Sequence, residues 1–427
     1  MYKLFKQVLA VLLTMALISS CSLGASSPSN NNETKAIQDF TNNFISNYAE
    51  SDGFTAISVT AQCHGFNGSN PVTVYSGTMG RDTLQVIQTN SLWQIGSNTK
   101  SFTSIVLLQL ESEYHNFSIN DDLSKWFPEY SYWEDPLTHG PTIQQLMNMT
   151  SGIPDDMNSA FFAWYIPNTY TYLPPENMIG FAPQSLNYTP CNNWNYSNTN
   201  YQILSLLIGR VTGKDYHGQD SAQVEITNRI INKLNLRNTY YVNNLPTQFV
   251  PSNRLVNGYL NAAESTEFST FSLSYAAGSG NIISTTDDIN TYYHALFQSN
   301  TLLSAAQFQE LSSWVQDGGG QNPGQSISSP AMASNGNAYG LGVGAEKIIL
   351  TPEQSVNYPN LAGNINNYNF VNYYSGTTLG FSFYYIYNPT TNEYVVIGIN
   401  SASVSQGNGD ILVLVYDILN YLDGKCN

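Results

Sequence analysis

Apolar residues recur at helical spacing early in the chain, where Ile37, Phe40, Phe44 and Ile45 fall on one face of a helix predicted over 33–48. The period then shortens to two: residues 55–63 and 72–77 read as strands, joined by the turn-forming stretch 65–70. A second helix is predicted where the polar turn Gly96-Ser97-Asn98-Thr99-Lys100 runs into Ile105-Val106-Leu107-Leu108. Residues 114–189, dense in aromatics, Asn and Pro, read as short helices linked by ordered loops without a repeat. Further helices are predicted over 201–213, 222–234 and 286–297, the last with Asp287 and Asp288 favourably placed in its first turn. The Gly/Ser/Pro-rich stretch 312–337 reads as an excursion loop.

Near the end the two-residue period returns. Residues 381–387 and 394–400 are aromatic and β-branched runs separated by Asn388-Pro389-Thr390-Thr391-Asn392, a hairpin signal, and 411–422 closes the chain as an apolar helix. Strands at both ends with helices between them predict an α/β (α+β) fold: an antiparallel sheet built from both chain ends, flanked by helices and carrying a large, mainly helical insertion. The expected parts are a sheet subdomain (36–98 plus 335–427) and a helical subdomain (99–334), with the active site in the cleft between them.

The first 35 residues lie outside that pattern. Lys3 and Lys6 precede an apolar run over 8–18, too short to span a bilayer and suited to a signal-peptide core. It ends in Ile18-Ser19-Ser20-Cys21, which resembles the lipobox of bacterial lipoproteins. That resemblance implies a signal peptide over 1–20, lipidation of Cys21, a flexible linker over 21–35 and an exported protein tethered to a membrane, with Ser22 favouring the outer-membrane or periplasmic side. The other reading is an ordinary secretory signal with an incidental cysteine.

Composition narrows the functions. Fourteen Lys and Arg against 30 Asp and Glu give a formal charge of −16, which excludes a nucleic-acid partner because nothing offsets phosphate repulsion. Beyond Cys21 stand Cys63, Cys191 and Cys426, and an odd number permits at most one internal disulfide. The 5 histidines are scattered and no cysteine has ligand spacing, so no metal and no cofactor are expected. The 30 tyrosines are expected chiefly to pack a large core; a binding platform of exposed aromatics is the rival reading.

Ser97-x-x-Lys100 carries the chemistry. One helical turn separates the two residues, so the lysine amine can reach the hydroxyl and strip its proton, while the helix N-terminus favours an anionic nucleophile. Tyr196-Ser197-Asn198 directly precedes another helical run. A tyrosine beside a lysine can shuttle protons, and an asparagine offers a donor and an acceptor to an amide.

With these two strings together, the chain resembles the serine β-lactamase and penicillin-binding-protein superfamily, in particular its class C β-lactamase, D-Ala-D-Ala carboxypeptidase and esterase branch. Thr142 to Pro154 is similar to that branch's I-x-x-L-L-T-H-T-S-G-L/I-P segment, with Asn148-Met149 in place of Thr-His. Ala276 to Asp288 is similar to A-G-G-L-x-S-T-x-x-D-L, and Tyr339-Gly340-Leu341-Gly342 matches Y-G-L-G. Tyr374-Ser375-Gly376-Thr377 fits the frame of the third motif, Lys-Thr/Ser-Gly or His-x-Gly, with Tyr374 at the Lys/His position.

The resemblance implies acyl transfer: Ser97 as nucleophile, Lys100 and Tyr196 sharing the base and acid roles, and Asn198 orienting the substrate amide. Tyr374 and Ser375 would line the substrate site, Gly376 would let substrate approach the strand, and the backbone N–H groups of Ser97 and Thr377 would form the oxyanion hole. Tyr374 carries no positive charge, so it does not pair with a substrate carboxylate. The candidate substrates are a D-Ala-D-Ala-type peptide, a β-lactam, or an ester or amide handled by a carboxylesterase-like member; a non-catalytic binder of wall peptide is the alternative from another class. The resemblance further implies that Cys63 and Cys426 pack on the same sheet and pair, leaving Cys191 free.

Overall fold

The computed structural model describes residues 32–136, 139–405 and 410–426. Cys21, the signal segment and most of the linker lie outside the described residues.

Helix α1 (Asn32–Asp52) buries Ile37, Thr41 and Phe44, the face that the sequence pattern predicts. Strands β1 (Ala56–Gln62) and β2 (Val72–Gly77) follow as an antiparallel pair with Val59 opposite Val74. β3 (Trp93–Gln94) leads to helix α2 (Thr99–Glu113), and helix α3 (Asn198–Thr212) belongs to the helical middle. β4 (Tyr240–Tyr241), β5 (Ile282–Ser284) and helix α4 (Thr286–Gln298) come next. The chain then supplies β6 (Val315–Gln316), β7 (Asn337–Tyr339), β8 (Gly344–Glu346), β9 (Val371–Thr377), β10 (Ser382–Asn388), β11 (Glu393–Ile399) and helix α5 (Asp410–Asp423).

Eight strands form one sheet in the order β2-β1-β11-β10-β9-β8-β7-β6. β1 lies antiparallel to β11 with Val59 opposite Ile397, so strands from the two chain ends pair within one sheet. The β10–β11 pair is closed by the loop containing Pro389, as its turn residues predict. Side chains alternate across the sheet. Ile57, Val59, Ile397 and Ile399 pack with Ile37 of α1 and Leu414, Ile418 and Leu422 of α5. Phe383, Tyr385 and Val396 join the core containing α2, α3 and α4, where Tyr293 stacks on Tyr385 at 3.5 Å between ring centroids. Cys63, just past β1, forms a disulfide with Cys426, just past α5, while Cys191 is free and exposed. This is the pairing that the resemblance implied.

Two expectations need correction. The stretch 312–337 is more than an excursion, because it contributes β6 and the start of β7; two- and three-residue strands are too short to show alternation. The helical run over 222–234 is shorter than predicted: Ser221–Ile226 is α-helix, one π turn (Thr227–Ile231) follows, and Asn235 adopts a positive φ of 55°. A small second sheet, β3-β5-β4, has no clear sequence signal. It positions the site: β3 pairs with β5, and Ile95 N–H donates to Ile282 O at 3.0 Å, fixing the turn that follows.

Candidate active site

That turn, Gly96–Asn98, is a short 3₁₀ segment leading into α2, with Gly96 at φ 51°. Its backbone meets β9 so closely that both partners need glycine. A Cβ on Gly96 would lie 2.6 Å from Thr377 N, and one on Gly376 would lie 2.0 Å from Ile95 O and 2.9 Å from Ser97 N. Gly376 therefore admits the nucleophile's own turn to the strand. Asn98, fully buried, ties the turn to the sheet: its Nδ2 donates to Ile95 O (2.9 Å) and Phe383 O (3.1 Å), and its Oδ1 accepts from Tyr293 OH (3.0 Å).

Ser97 Oγ receives two hydrogen bonds. Tyr196 OH donates at 2.6 Å and Lys100 Nζ at 3.2 Å. Lys100 is fully buried, and Nζ also lies within hydrogen-bond reach of Asn198 Oδ1 (2.9 Å) and Ser279 O (2.8 Å), so three oxygens surround it. The Tyr196 ring adds a face 4.8 Å from Nζ. Burial without such partners would be costly for a lysine; here each contact also aims the amine at Ser97.

Asn198 opens α3. Its backbone N–H donates to Asp155 Oδ1 at 2.8 Å, and its Nδ2 makes longer contacts to both Asp155 oxygens (3.3 and 3.4 Å). The side chain thus links Asp155 to Lys100, with its amide donor turned to the carboxylate. Tyr196 and Ser197 are held from behind by Met149: Asn195 N–H donates to Met149 O (3.1 Å) and Ser197 N–H to Met149 Sδ (3.4 Å). The Asn148-Met149 departure from the family pattern is therefore a supporting contact under the second motif.

Tyr374 lines the cleft with its hydroxyl already engaged. It is 8% exposed, donates to Tyr196 OH at 3.4 Å and shares a 2.8 Å hydrogen bond with Tyr339 OH. Burial, with the Tyr196 and Tyr339 phenols alongside, raises its pKa well above that of an ordinary phenol, so it stays a neutral hydroxyl. Three phenols thus run in line from Ser97. Beside them lies a cavity of about 520 Å³ whose walls include Ser97, Tyr196, Asn198, Tyr374, Ser375 and Thr377, so every predicted catalytic or substrate-binding residue except buried Lys100 and glycine Gly376 borders it.

Sequence reading missed Asp155, Ser279, Tyr339 and Asn98 as parts of the site. Ser279 and Tyr339 lie inside the quoted landmark segments, and Asp155 directly follows Pro154, so proximity to those segments was the available signal. Asp156, next to Asp155, is fully buried; burial and the Asp155 charge hold its carboxyl well above the usual range.

A serine nucleophile at a helix start, a buried lysine one turn on and a tyrosine on the same oxygen, between a sheet and a helical layer, define a serine hydrolase of the β-lactamase fold. Residues 67–414 match the family described as Beta-lactamase, and the chain belongs to that family. Among curated relatives, a penicillin-binding protein of Bacillus subtilis (strain 168) is 32% identical over 130 residues, which is 30% of this chain and 27% of that protein's length. Among solved structures, the D-stereospecific amidohydrolase from Streptomyces sp. is 24% identical with a TM-score of 0.65, covering 87% of this chain and 95% of its own. The D-amino acid amidase from Ochrobactrum anthropi SV3 is 19% identical with a TM-score of 0.69, covering 92% of this chain and 99% of its own. At these identities the two structures share the fold with this chain.

Proposed function

We propose that the protein is an exported serine hydrolase, anchored through a lipid on Cys21, that forms an acyl-enzyme on Ser97 from an ester or amide lacking a carboxylate beside the scissile bond. The observation that carries the substrate class is Tyr374. The position at which the resembled family presents a cation holds a buried neutral phenol, already bonded to Tyr196 and Tyr339. A D-Ala-D-Ala-type peptide or a penicillin would bring its carboxylate to a wall with nothing to neutralise it. The fold shared with two amidohydrolases is consistent with an amide or ester substrate.

In this reading Ser97 Oγ attacks the carbonyl carbon and gives its proton to the Lys100–Tyr196 pair, of which one member must be in its deprotonated form, neutral amine or phenolate, to receive it. The oxyanion is met by the backbone N–H groups of Ser97 and Thr377, brought side by side by the Gly96–Gly376 crossing. Tyr196, 2.6 Å from Oγ, returns the proton to the leaving group. Water then attacks the acyl-enzyme by the same route in reverse.

The test compares a fluorescent penicillin with a chromogenic short-chain ester, on the purified protein and on Ser97→Ala. Ester turnover lost in Ser97→Ala, without stable penicillin labelling, is the expected result. Stable labelling of Ser97 by the penicillin would return the substrate to the cell-wall peptide class, and inertness to both substrates would favour a wall-peptide binder.

A further inference from the structure

The cavity beside Ser97 continues past the phenols to an end that the mechanism does not use. The short strands define it. In β7 and β8, Tyr339 lies opposite Gly344 and Asn337 opposite Glu346. Residues two apart on a strand share a face, so Asn337 and Glu346 lie on the face that carries the Tyr339 ring. β6 pairs Val315 with Tyr339, which brings Asp317, just past its end, beside Asn337. Asp317, Asn337 and Glu346 all border the cavity that holds Ser97.

The charge there is of one sign. Asp317 and Glu346 are the charged side chains on the cavity wall, and among the described residues lining it there is no Lys, Arg or His. Asp317 Oδ1 accepts from Asn335 Nδ2 (2.7 Å) and Gly319 N–H (3.0 Å), leaving Oδ2 without a partner among the described residues. Glu346 has no hydrogen bond or ion pair among the described residues, and desolvation pushes its pKa up to about 7. A carboxyl drawn out of water without a counter-ion is unfavourable unless a ligand supplies one. Aromatic faces stand alongside, with Trp194 edge-on to Tyr339 at 5.6 Å. Trp194, which lines the cavity, has a buried Nε1 with no hydrogen-bond partner among the described residues. Carboxylates beside aromatic rings suit an ammonium or guanidinium stripped of part of its water.

We propose that this end of the catalytic cavity, bordered by Asp317 and Glu346, binds a positively charged group of the substrate carried several bonds from the scissile carbonyl. The inference rests on Ser97 being the acyl-transfer nucleophile. The spacing excludes an α-ammonium, which sits one carbon from that carbonyl: Glu346 lies a strand repeat of about 7 Å along the hairpin from the Tyr339–Tyr374 pair. The substrate class is thus an ester or amide of an acid with a basic side chain.

The experiment compares 4-nitrophenyl 6-aminohexanoate with 4-nitrophenyl hexanoate at pH 8 and moderate salt, where general attraction to the acidic chain is screened. Wild type is expected to prefer the aminohexanoate by about tenfold or more in kcat/KM. That ratio is expected to fall to near unity in the Asp317→Asn, Glu346→Gln double variant, and to persist in Asp82→Asn, an exposed acid outside the cavity. Because each protein is read as a ratio, a general loss of activity in the double variant cancels. No preference in wild type, or a preference that survives the double variant, overturns the proposal. Cleavage of neither ester would count against the Ser97 reading alone. The cation site is then read by calorimetric binding of 6-aminohexanamide against hexanamide to Ser97→Ala, where equal binding, or none, overturns it.

Discussion

Asp155 Oδ1 accepts the backbone N–H of Asn198 at 2.8 Å, and Asn198 Oδ1 in turn accepts from Lys100 Nζ at 2.9 Å. The carboxylate therefore acts on the lysine through the asparagine: it fixes the start of α3 and turns the amide so that its oxygen, not its nitrogen, faces the amine. A hydrogen bond to a charged group contributes about 1.5–3 kcal/mol. Asp155→Ala is expected to lower kcat by about 10- to 100-fold with a smaller change in KM, and Asp155→Asn to recover part of the loss. Steady-state ester kinetics read this split; a change confined to KM would make Asp155 a substrate contact instead.

Tyr196 shares Ser97 Oγ with Lys100, so removing its hydroxyl leaves the nucleophile one of its two partners. Tyr196→Phe is expected to slow acylation by about 10²–10⁴-fold, with the unfolding midpoint little changed. Tyr374→Phe leaves that bond intact and is expected to cost much less. Single-turnover acylation rates of the two variants distinguish a proton-transfer role from simple packing.

Gly376 touches Ile95 O so closely that a Cβ would fall 2.0 Å from it. Gly376→Ala is expected to push the nucleophile turn off β9, destabilising by about 1–3 kcal/mol and removing most activity. Gly363→Ala, with nothing within 4 Å of the added carbon, is expected to do neither. Thermal unfolding and ester turnover measured together check the pair.

Much of this site was legible in the chain. Ser97 and Lys100 are near in sequence and the helical period dictates their meeting. Tyr196 and Asn198 stand as a short string before a helix, and the family motifs ordered the rest. What stayed hidden depends on pairing between distant segments. The turn that carries Ser97 crosses β9 at Gly376, and only the crossing shows what the glycine admits. The engaged state of the Tyr374 hydroxyl was hidden because nothing local reveals that Tyr339, 35 residues earlier, shares a hydrogen bond with it. Asp317 and Glu346 are brought to one face by strands of two and three residues, whose register has no sequence signature.

Stability should carry its own pH signature. Glu393 is fully buried, accepts from Tyr368 OH (2.6 Å) and Thr391 OH (2.8 Å), and burial pushes its pKa up to about 7; Glu346 shifts in the same direction. Between the ordinary carboxylate range and about pH 7 the folded state thus binds more protons than the unfolded one, so stability falls as pH rises through that window and levels off above it. Glu393→Gln removes one such group, and its unfolding midpoint relative to wild type is expected to be higher at pH 8 than at pH 5. A relative midpoint that instead falls with pH would contradict this origin.

The central claim is that Ser97 carries the acyl group, and intact-mass spectrometry with peptide mapping after brief incubation with an ester substrate tests it most directly. The expected result is a single acyl adduct on the peptide containing Ser97, absent from Ser97→Ala and lost with time as water deacylates the enzyme. Ester turnover that persists in Ser97→Ala, or an adduct that maps to another residue, would contradict it.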